Sequence, residues 1–473
     1  MEHYDLIVIG GGPGGQAAAL QGRRLGARTA LVEMDANVSG SGSIRGTIPR
    51  RALRETALQH LRAPGGGTVF LDDERVELAG LMAHVGVVTT GHTEATIGRL
   101  RRAGVEPVHG RARVLDGNRI DVRTLGGHVI QLSAKRIVLC TGATPRAGAG
   151  IEVDHEHVLD TDSILSMIYL PRSLVVIGGG RTAFEYASIF AALGVVVTVL
   201  DADDRPLPRM EREQNQELLR SFERRGCRYI PRAVVQSARW DGLDVVVQIG
   251  GGRELRARKA LVATGKAPSL KGIRVKRLGI ELNERGFVRV DDQMQTALSG
   301  VYAAGDVVGP PHHAAAATAD GQRAVAYALG RPDLAQSGNV PRAVYTIPEL
   351  ASVGLGEAAA REAHGGVRVG VAQFCDLARA RIAGDQRGSL KLVCDPGCTR
   401  VLGVHIVGEG AGENIAVAQM AIAAGMGPEA FIENCFPFPS FGEAYRIAAL
   451  DVLGRQQRGA PQTAGVFGRQ LAG

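Results

Sequence analysis

Two segments of the chain carry the same succession of a short apolar strand, a glycine turn, an alanine-rich helix, a second apolar strand and an acid. The first reads DLIVIGGGPGGQAAALQGRRLGARTALVE and ends at Glu33; the second reads SLVVIGGGRTAFEYASIFAALGVVVTVLD and ends at Asp201. This succession is typical of the βαβ unit in which a helix N-terminus faces the pyrophosphate of a dinucleotide. Because it occurs twice, the sequence predicts two dinucleotide sites rather than a coincidental Gly-rich turn.

The glycines and the acids of these units have separate tasks. The first glycine permits a tight turn, the second lets a pyrophosphate approach the backbone, and the third lets helix and strand pack closely. These positions hold Gly10, Gly12 and Gly15 in the first unit, and Gly178, Gly180 and Ala183 in the second. Glu33 and Asp201 stand where an acid accepts hydrogen bonds from an adenosine ribose.

The acid of the second unit also bears on nucleotide choice. Asp201, followed by Asp203, favours NADH over NADPH because a carboxylate repels a 2′-phosphate. Arg205, Arg209 and Arg212 follow along the chain and are candidates to bind such a phosphate, so NADPH stays open as an alternative.

Length and composition exclude several other classes of protein. A chain of 473 residues, 45% hydrophobic and 22% charged, suits a multidomain globular protein. The net charge is +7, but the arginines are scattered and aromatic residues make up only 4%, so we predict no nucleic-acid binding. No apolar run approaches the length of a membrane span.

The six cysteines are too few and too irregularly spaced for a secreted disulfide framework. Cys394 and Cys398 lack a second pair or a histidine cluster at ligand spacing, so we expect no metal site. The first predicted strand begins at Asp5 and leaves no room for a signal peptide. The sequence therefore predicts a protein of the reducing cytoplasm.

Further motifs resemble the FAD-dependent pyridine nucleotide-disulfide oxidoreductases over nearly the whole chain. LCTGATPR (139–146) and LVATGKAP (261–268) are similar to the family's crossings between domains, and VYAAGDVVG (301–309) is similar to its second FAD motif. YTIPELASVG (345–354) and PSFGEAYRIAAL (439–450) resemble the opening and the close of its dimerisation domain. Within the family, GTIP, DTDSILSM, EYASIF, VYTIPE and EAYR resemble the soluble pyridine nucleotide transhydrogenases.

The resemblance implies an α/β fold with two Rossmann-like dinucleotide-binding domains, for FAD and NAD, and a C-terminal α+β dimerisation domain. A homodimer is implied as well. The expected segments are 1–150 and 271–340 for the FAD domain, 151–270 for the NAD(P) domain, 341–456 for the dimerisation domain, and 457–473 for a flexible tail.

The resemblance also implies which residues hold the cofactors. The expected FAD-binding residues are Gly10, Gly12, Pro13, Gly14, Gly15, Glu33, Arg51, Ala112, Thr141, Gly142, Asp306 and Ala314, and the expected NAD-binding residues are Gly178, Gly180, Arg181, Glu185, Asp201 and Gly265. Asp306 is expected to bind the ribityl chain.

Arg51 and Glu185 are the expected catalytic residues. They occupy the positions at which relatives carry a Lys–Glu ion pair beside the isoalloxazine ring, and a positive charge there favours reduced flavin. The alternative is that both are solvated helix charges.

The residues of disulfide chemistry are replaced. Gly42 and Thr47 occupy the positions at which disulfide-reducing relatives carry a CxxxxC pair, and Phe438 stands in place of the partner subunit's acid–base histidine, although Glu443 remains. The sequence therefore predicts hydride transfer between nicotinamide and flavin without a dithiol.

Several roles stay open at this point. Arg181 is a candidate to clamp a phosphate, to steer an anionic acceptor or to occupy the nicotinamide site, and Arg45 and Arg50 are candidates to attract an anionic acceptor or to be surface charges. His312 and His313 are candidates to tune the flavin or to be polar residues at a helix start.

The interpretation with most support is a transhydrogenase-like FAD-dependent NAD(P)H oxidoreductase with an unidentified electron acceptor. The alternatives are an NADH:quinone or diaphorase-type enzyme, a specialised pathway reductase, and a nucleotide-binding protein that has lost turnover.

Overall fold

A computed structural model describes residues 1–35, 40–62, 78–334 and 339–457 of the chain. The predicted tail 457–473 therefore lies outside the described residues, except for Gln457, which is the last residue of a helix. The chain forms two compact units, of which the first comprises Met1–Pro206 and Phe222–Gly338, and the second comprises Leu207–Ser221 and the chain from Asn339.

The helices of the described residues are α1 Pro13–Arg24, α2 Gly40–Ile44, α3 Thr47–Arg62, α4 Leu78–Arg102, α5 Arg181–Ala192, α6 Arg212–Glu223, α7 Val275–Leu278, α8 Ala314–Ala328, α9 Glu357–His364, α10 Ala378–Ala383, α11 Ala411–Ala423, α12 Ala430–Glu433 and α13 Glu443–Gln457.

The strands are β1 Glu2–Ile9, β2 Thr29–Glu33, β3 Glu106–His109, β4 Arg111–Val114, β5 Arg119–Arg123, β6 Val129–Leu139, β7 Ala143–Pro145, β8 Val158–Asp160, β9 Ser173–Ile177, β10 Val196–Leu200, β11 Arg228–Ile230, β12 Val235–Trp240, β13 Val245–Ile249, β14 Arg253–Ala257, β15 Lys259–Val262, β16 Lys266–Pro268, β17 Val301–Ala303, β18 Arg342–Val344, β19 Leu350–Gly354, β20 Arg368–Gln373, β21 Gly388–Cys394 and β22 Val401–Gly408.

The first unit contains a seven-stranded sheet in the order β3-β2-β1-β6-β5-β4, with β17 paired to β6. Strands β3, β2, β1, β6 and β17 run parallel, whereas β5 and β4 continue the sheet in antiparallel fashion. Leu6, Ile7 and Val8 are fully buried, because both faces of this parallel region are covered.

A second parallel sheet of the same unit has the order β11-β10-β9-β15-β8 and carries the second glycine turn at the end of β9. An antiparallel sheet of β12, β13 and β14 packs into its apolar core. The two crossing motifs lie side by side, because β7 and β16 form an antiparallel ribbon. The predicted α/β fold with two Rossmann-like sheets is therefore confirmed.

The second unit is built on an antiparallel sheet in the order β18-β19-β22-β21-β20, as expected for the C-terminal α+β domain. Tyr445 of α13 and Ile415 of α11 are buried in its core. Gly370 of β20 lets α13 approach closely, since a side chain there would overlap with the carbonyl oxygen of Ala448.

A segment that the sequence analysis placed in the NAD(P) domain, Leu207–Ser221, belongs to this second unit. Gln214 of α6 donates through Nε2 to the carbonyl oxygens of Ala351 (2.9 Å) and Ile406 (2.8 Å). Its Oε1 accepts from the hydroxyl of Ser352 at 3.1 Å. Polar bonds of this kind are invisible to a reading of apolar periodicity, which is why the sequence did not reveal the assignment.

A buried ammonium reinforces the same packing. The Nζ of Lys391 on β21 lies 2.9 Å from Glu211, 3.0 Å from Glu213 and 2.7 Å from Glu357. These three carboxylates have the spacing of a metal site, and the Lys391 ammonium lies among them.

We predict that Gly15→Ala destabilises the fold, whereas Gly80→Ala does not. A Cβ at Gly15 would overlap with the carbonyl oxygen of Gly10, so α1 would have to shift from the sheet at a cost of about 1–3 kcal/mol. Gly80 lies in α4 with open space around it, and alanine there is expected to stabilise by about 0.5–1 kcal/mol. Urea unfolding of both variants checks this; equal stability of Gly15→Ala and wild type would contradict the close packing.

Candidate functional site

A cavity of the first unit lies at the carboxyl ends of the parallel strands β1, β2, β6 and β17, where α1 and α8 begin. Ten of the predicted FAD-binding residues line it, namely Gly10, Gly12, Pro13, Gly14, Glu33, Ala112, Thr141, Gly142, Asp306 and Ala314. Gly15 is not among the lining residues, because its Cα faces the Gly10 carbonyl inside the turn. Two helix N-termini at one cavity suit an anionic ligand.

The first glycine turn is fixed by its acid. Glu33 accepts from the backbone N–H of Gly11 at 2.6 Å, and its other oxygen accepts from the N–H groups of Met34 (2.7 Å) and Asp35 (3.1 Å). A Cβ on Gly12 would meet no atom within 4 Å, so the backbone there is open to a ligand. Helix α1 has no side-chain cap at Gly12, which leaves its end available for phosphate oxygens.

The hydroxyl of Thr141 indicates that a polar ligand fits the cavity. Its Oγ1 is buried at the cavity and has no hydrogen-bond partner among the described residues. Such an atom is costly unless a ligand or water completes its bonding. Together with the open glycine turn, it makes the cavity a fit for FAD.

Asp306 is held at the cavity by two basic residues. Its Oδ2 lies 2.8 Å from the Nζ of Lys266, and its Oδ1 lies 3.7 Å from Nδ1 of His312. Burial alone would raise the pKa of Asp306, but the neighbouring His312 imidazole and the Lys266 ammonium lower it well below its usual range. The predicted ribityl-binding residue is therefore a carboxylate at neutral pH.

The two neighbouring histidines have different positions. His313 caps α8, where its Nδ1 accepts from the backbone N–H of Ala316 at 3.1 Å. His312 faces Asp306 and packs against the ring of Phe287, with 5.3 Å between ring centroids.

The sequence analysis paired Glu185 with Arg51, and the structure gives Glu185 an arginine partner one position earlier. The structure places Nε of Arg50 2.5 Å from Glu185, with side chains that are 8% and 1% exposed. The Arg50 guanidinium also lies over the ring of Tyr186, and Arg50 lines the cavity whereas Arg51 is not among the lining residues. Because consecutive residues of a helix point about 100° apart, Arg50 and Arg51 leave α3 in different directions, and the guanidinium of Arg50 is the one that contacts Glu185 of α5.

The second glycine turn lies at the carboxyl end of β9. Gly178 has a φ of +119° and abuts the Ala263 carbonyl, and Gly180 is the N-cap of α5 without a side-chain cap. Gly265, with a φ of +128°, follows the adjacent strand β15. Asp201, at the end of β10, lies directly against Gly179.

Arg181, the first residue of α5, reaches into the cavity. Its Nη2 donates to the carbonyl oxygen of His312, and it lines the cavity beside Thr182. The contact joins the second glycine turn to the segment that carries Asp306.

Helix α2 and the start of α3 form one wall of the same cavity. Gly42 and Thr47 line it together with Arg45 and Gly46. Cys140 also lines it, but burial, and to a lesser extent Asp320, raises the pKa of this thiol to about 12.

These features define a class of protein. Two parallel sheets each carry a glycine turn at a helix start with a buried acid beside it, and one turn opens into a cavity with a bonded carboxylate and an unsatisfied hydroxyl. This is the architecture of a two-dinucleotide oxidoreductase.

Comparison with known proteins gives the family. Residues 4–321 match the pyridine nucleotide-disulphide oxidoreductase family and residues 340–449 match its dimerisation domain, so the chain belongs to this family. The soluble pyridine nucleotide transhydrogenase of Yersinia pestis is 34% identical over 460 residues, which cover 96% of this chain and 98% of that protein.

Two solved structures are similar over nearly the full chain. LpdA from Mycobacterium tuberculosis has a TM-score of 0.86 at 26% identity and covers 95% of this chain and 99% of its own. The HOCl-induced flavoprotein disulfide reductase RclA from Escherichia coli has a TM-score of 0.85 at 25% identity, with 95% and 99% covered.

Family membership confirms the predicted enzyme class and cofactors. The chain is an FAD-dependent nicotinamide oxidoreductase, and members of the family bind FAD and NAD(P)H. The dimerisation domain supports a homodimer. Within the described residues, no helix is both long enough and apolar enough to cross a membrane.

Sequence reasoning missed two residues at the site, Lys266 and Cys140, and gave a third, Arg50, another role. Lys266 lies within a motif that was quoted for its glycine, Arg50 adjoins the residue that was chosen, and Cys140 precedes the predicted Thr141. Only Lys266 could have been found from the sequence, because a lysine at a predicted crossing between domains is a candidate partner for a cofactor-binding acid.

We predict that Arg50→Met destabilises the protein more than Arg51→Met does. Loss of Arg50 leaves the Glu185 carboxylate buried without this guanidinium, which typically costs about 3–5 kcal/mol, whereas the half-buried Arg51 is expected to cost less than about 1 kcal/mol. Urea unfolding of both variants, with Arg50→Met/Glu185→Gln as the control that removes both charges, measures the difference. A larger loss for Arg51→Met would return the role to Arg51.

Proposed function

We propose that the chain transfers electrons from NADH to an acceptor in the manner of a transhydrogenase, without a dithiol. The observation that carries the proposal is that Gly42 and Thr47 line the cavity at the positions where a dithiol would be required. FAD, when bound, supplies the ring that accepts a hydride from the nicotinamide and passes electrons on.

The chain's residues then serve binding and electrostatics. The first glycine turn and the N-termini of α1 and α8 bind the pyrophosphate, Glu33 binds the adenosine ribose, and Asp306 binds the ribityl chain. Arg50, held by Glu185, replaces Arg51 as the proposed cation near the ring and stabilises negative charge there.

The remaining thiol at the cavity does not substitute for a dithiol. Cys140 is a single buried cysteine whose raised pKa keeps it protonated, and a thiol attacks a disulfide only as the thiolate. Phe438 is exposed on the second unit and has no titratable group, so it cannot replace the histidine that protonates a leaving thiol.

The second glycine turn binds the nicotinamide nucleotide in this proposal. The turn contains Gly178 and Gly180, and Arg181 and Gly265 lie beside it. Asp201 gives the preference for NADH. The similarity to soluble pyridine nucleotide transhydrogenases supports NADP⁺ as an acceptor. We propose a homodimer in the cytoplasm, and all six cysteines are free thiols in the structure.

Anaerobic titration of the purified flavoprotein with NADH is expected to bleach the visible flavin band. Reduction should proceed at an unchanged rate after iodoacetamide treatment and in Cys140→Ala, because no thiolate takes part. Reoxidation by added NADP⁺ would support transhydrogenase activity, and reoxidation by a quinone alone would support a diaphorase. If NADH does not bleach the flavin band, or if alkylation abolishes the reduction, the proposal is overturned.

A further inference from the structure

The carboxylate of Asp201 is buried at the second glycine turn and has one side-chain donor in the described structure, the hydroxyl of Tyr229. Asp201 is 5% exposed, its Oδ2 accepts from Tyr229 Oη at 3.0 Å, and its Oδ1 accepts from the backbone N–H of Asp203 at 3.2 Å. A side chain on Gly179 would overlap with this carboxylate, so the acid lies directly beneath the turn.

Tyr229 is rigidly placed for this contact. It lies in β11, which pairs with β10 in parallel so that Val199 is opposite Tyr229, two residues before Asp201. Its ring packs against Phe184 of α5, with 5.7 Å between ring centroids, and Phe184 is fully buried. The hydroxyl therefore approaches the acid from the neighbouring strand, while the backbone donor comes from the acid's own loop.

From this geometry we infer that Tyr229 is a positioning residue, which holds Asp201 as an oriented carboxylate and so makes the second site prefer NAD(H) over NADP(H). An ionised Asp201 accepts from the ribose 2′-OH and repels a 2′-phosphate, whereas a protonated one no longer carries the repelling charge. The inference rests on the proposed role of the second glycine turn and adds the residue that controls its acid.

The titratable surroundings of Asp201 favour protonation unless Tyr229 opposes it. Burial raises the pKa of Asp201, the hydrogen bonds from Asp203 N–H and Tyr229 lower it, and the nearby Asp203 charge raises it again. Asp204 acts on Tyr229 from the same loop, and the glycine turn packed on the other side carries no titratable group. The balance leaves the pKa above its usual range, so the preference for NAD(H) is lost as the pH falls through the raised pKa.

Tyr229→Phe removes the hydroxyl and keeps the ring that packs on Phe184. Without this donor the pKa of Asp201 rises further, so the pH at which the preference declines moves upward. At a pH between the midpoints of the wild type and the variant, the dissociation constant of NADP⁺ divided by that of NAD⁺ falls by up to about tenfold in the variant. A purely structural role for Tyr229 would weaken both nucleotides without moving the pH profile.

The test is equilibrium binding of NAD⁺ and NADP⁺ to the holoprotein from about pH 4 to pH 8, so that the range begins near the ordinary pKa of an aspartate. It compares wild type, Tyr229→Phe, Asp201→Asn and Tyr302→Phe. Tyr302 is a buried tyrosine of β17 in the same unit and serves as the matched control, with a wild-type profile expected. Asp201→Asn mimics the protonated acid and is expected to lack the pH-dependent preference. Titration of the NADP⁺ phosphate affects every variant equally, so it cancels in the comparison.

The outcomes separate this inference from the proposed function. An upward shift of the profile in Tyr229→Phe supports the inference, even if the protein shows no turnover. The inference is overturned if the pH profile of the preference is the same in Tyr229→Phe as in the wild type, or if the wild type prefers neither nucleotide at any pH. Neither result affects the proposed reduction of the flavin by NADH. Failure of the wild type to bind either nucleotide overturns both.

Discussion

The close approach of backbone to backbone at the two glycine turns is the constraint on which the rest of the structure depends. A side chain at Gly15 would overlap with the Gly10 carbonyl and push α1 away from its sheet. A side chain at Gly10 or Gly178 would overlap with the carbonyl at the end of the neighbouring strand, that of Cys140 or of Ala263. Each turn then presents a helix N-terminus without a side-chain cap and rests on a buried acid. Phosphate binding and ribose recognition both follow from this geometry.

The acids beside the turns are held differently, although the sequence makes them equivalent. Glu33 accepts from three backbone N–H groups, including that of Gly11 within the turn, so its orientation depends on the main chain alone. Asp201 depends in part on a side chain, Tyr229. A backbone donor persists when a side chain is substituted, whereas a side-chain donor can be lost in one mutation. The preference of the second glycine turn between NAD(H) and NADP(H) is therefore the one that a single substitution can change.

The sequence predicted the parts of the structure that rest on local pattern. The two βαβ units and the glycines of their turns follow from apolar periodicity and from positions that tolerate no side chain. Contacts between distant elements were beyond it. Whether Arg50 or Arg51 meets Glu185 depends on the rotation of α3, and the bond from Tyr229 to Asp201 depends on the register of β11, neither of which has a local signature.

The position of Gln214 has a consequence for how such a chain can be recombined in evolution. The family's dimerisation domain matches residues 340–449, yet the side chain that bonds the carbonyls of β19 and β22 comes from α6, more than a hundred residues upstream. Glu211 and Glu213, which surround the buried Lys391 ammonium, come from the same upstream segment. A crossover placed at the apparent border near residue 340 would separate these partners, so a recombinant chain would keep them only if both sides of that border came from one parent.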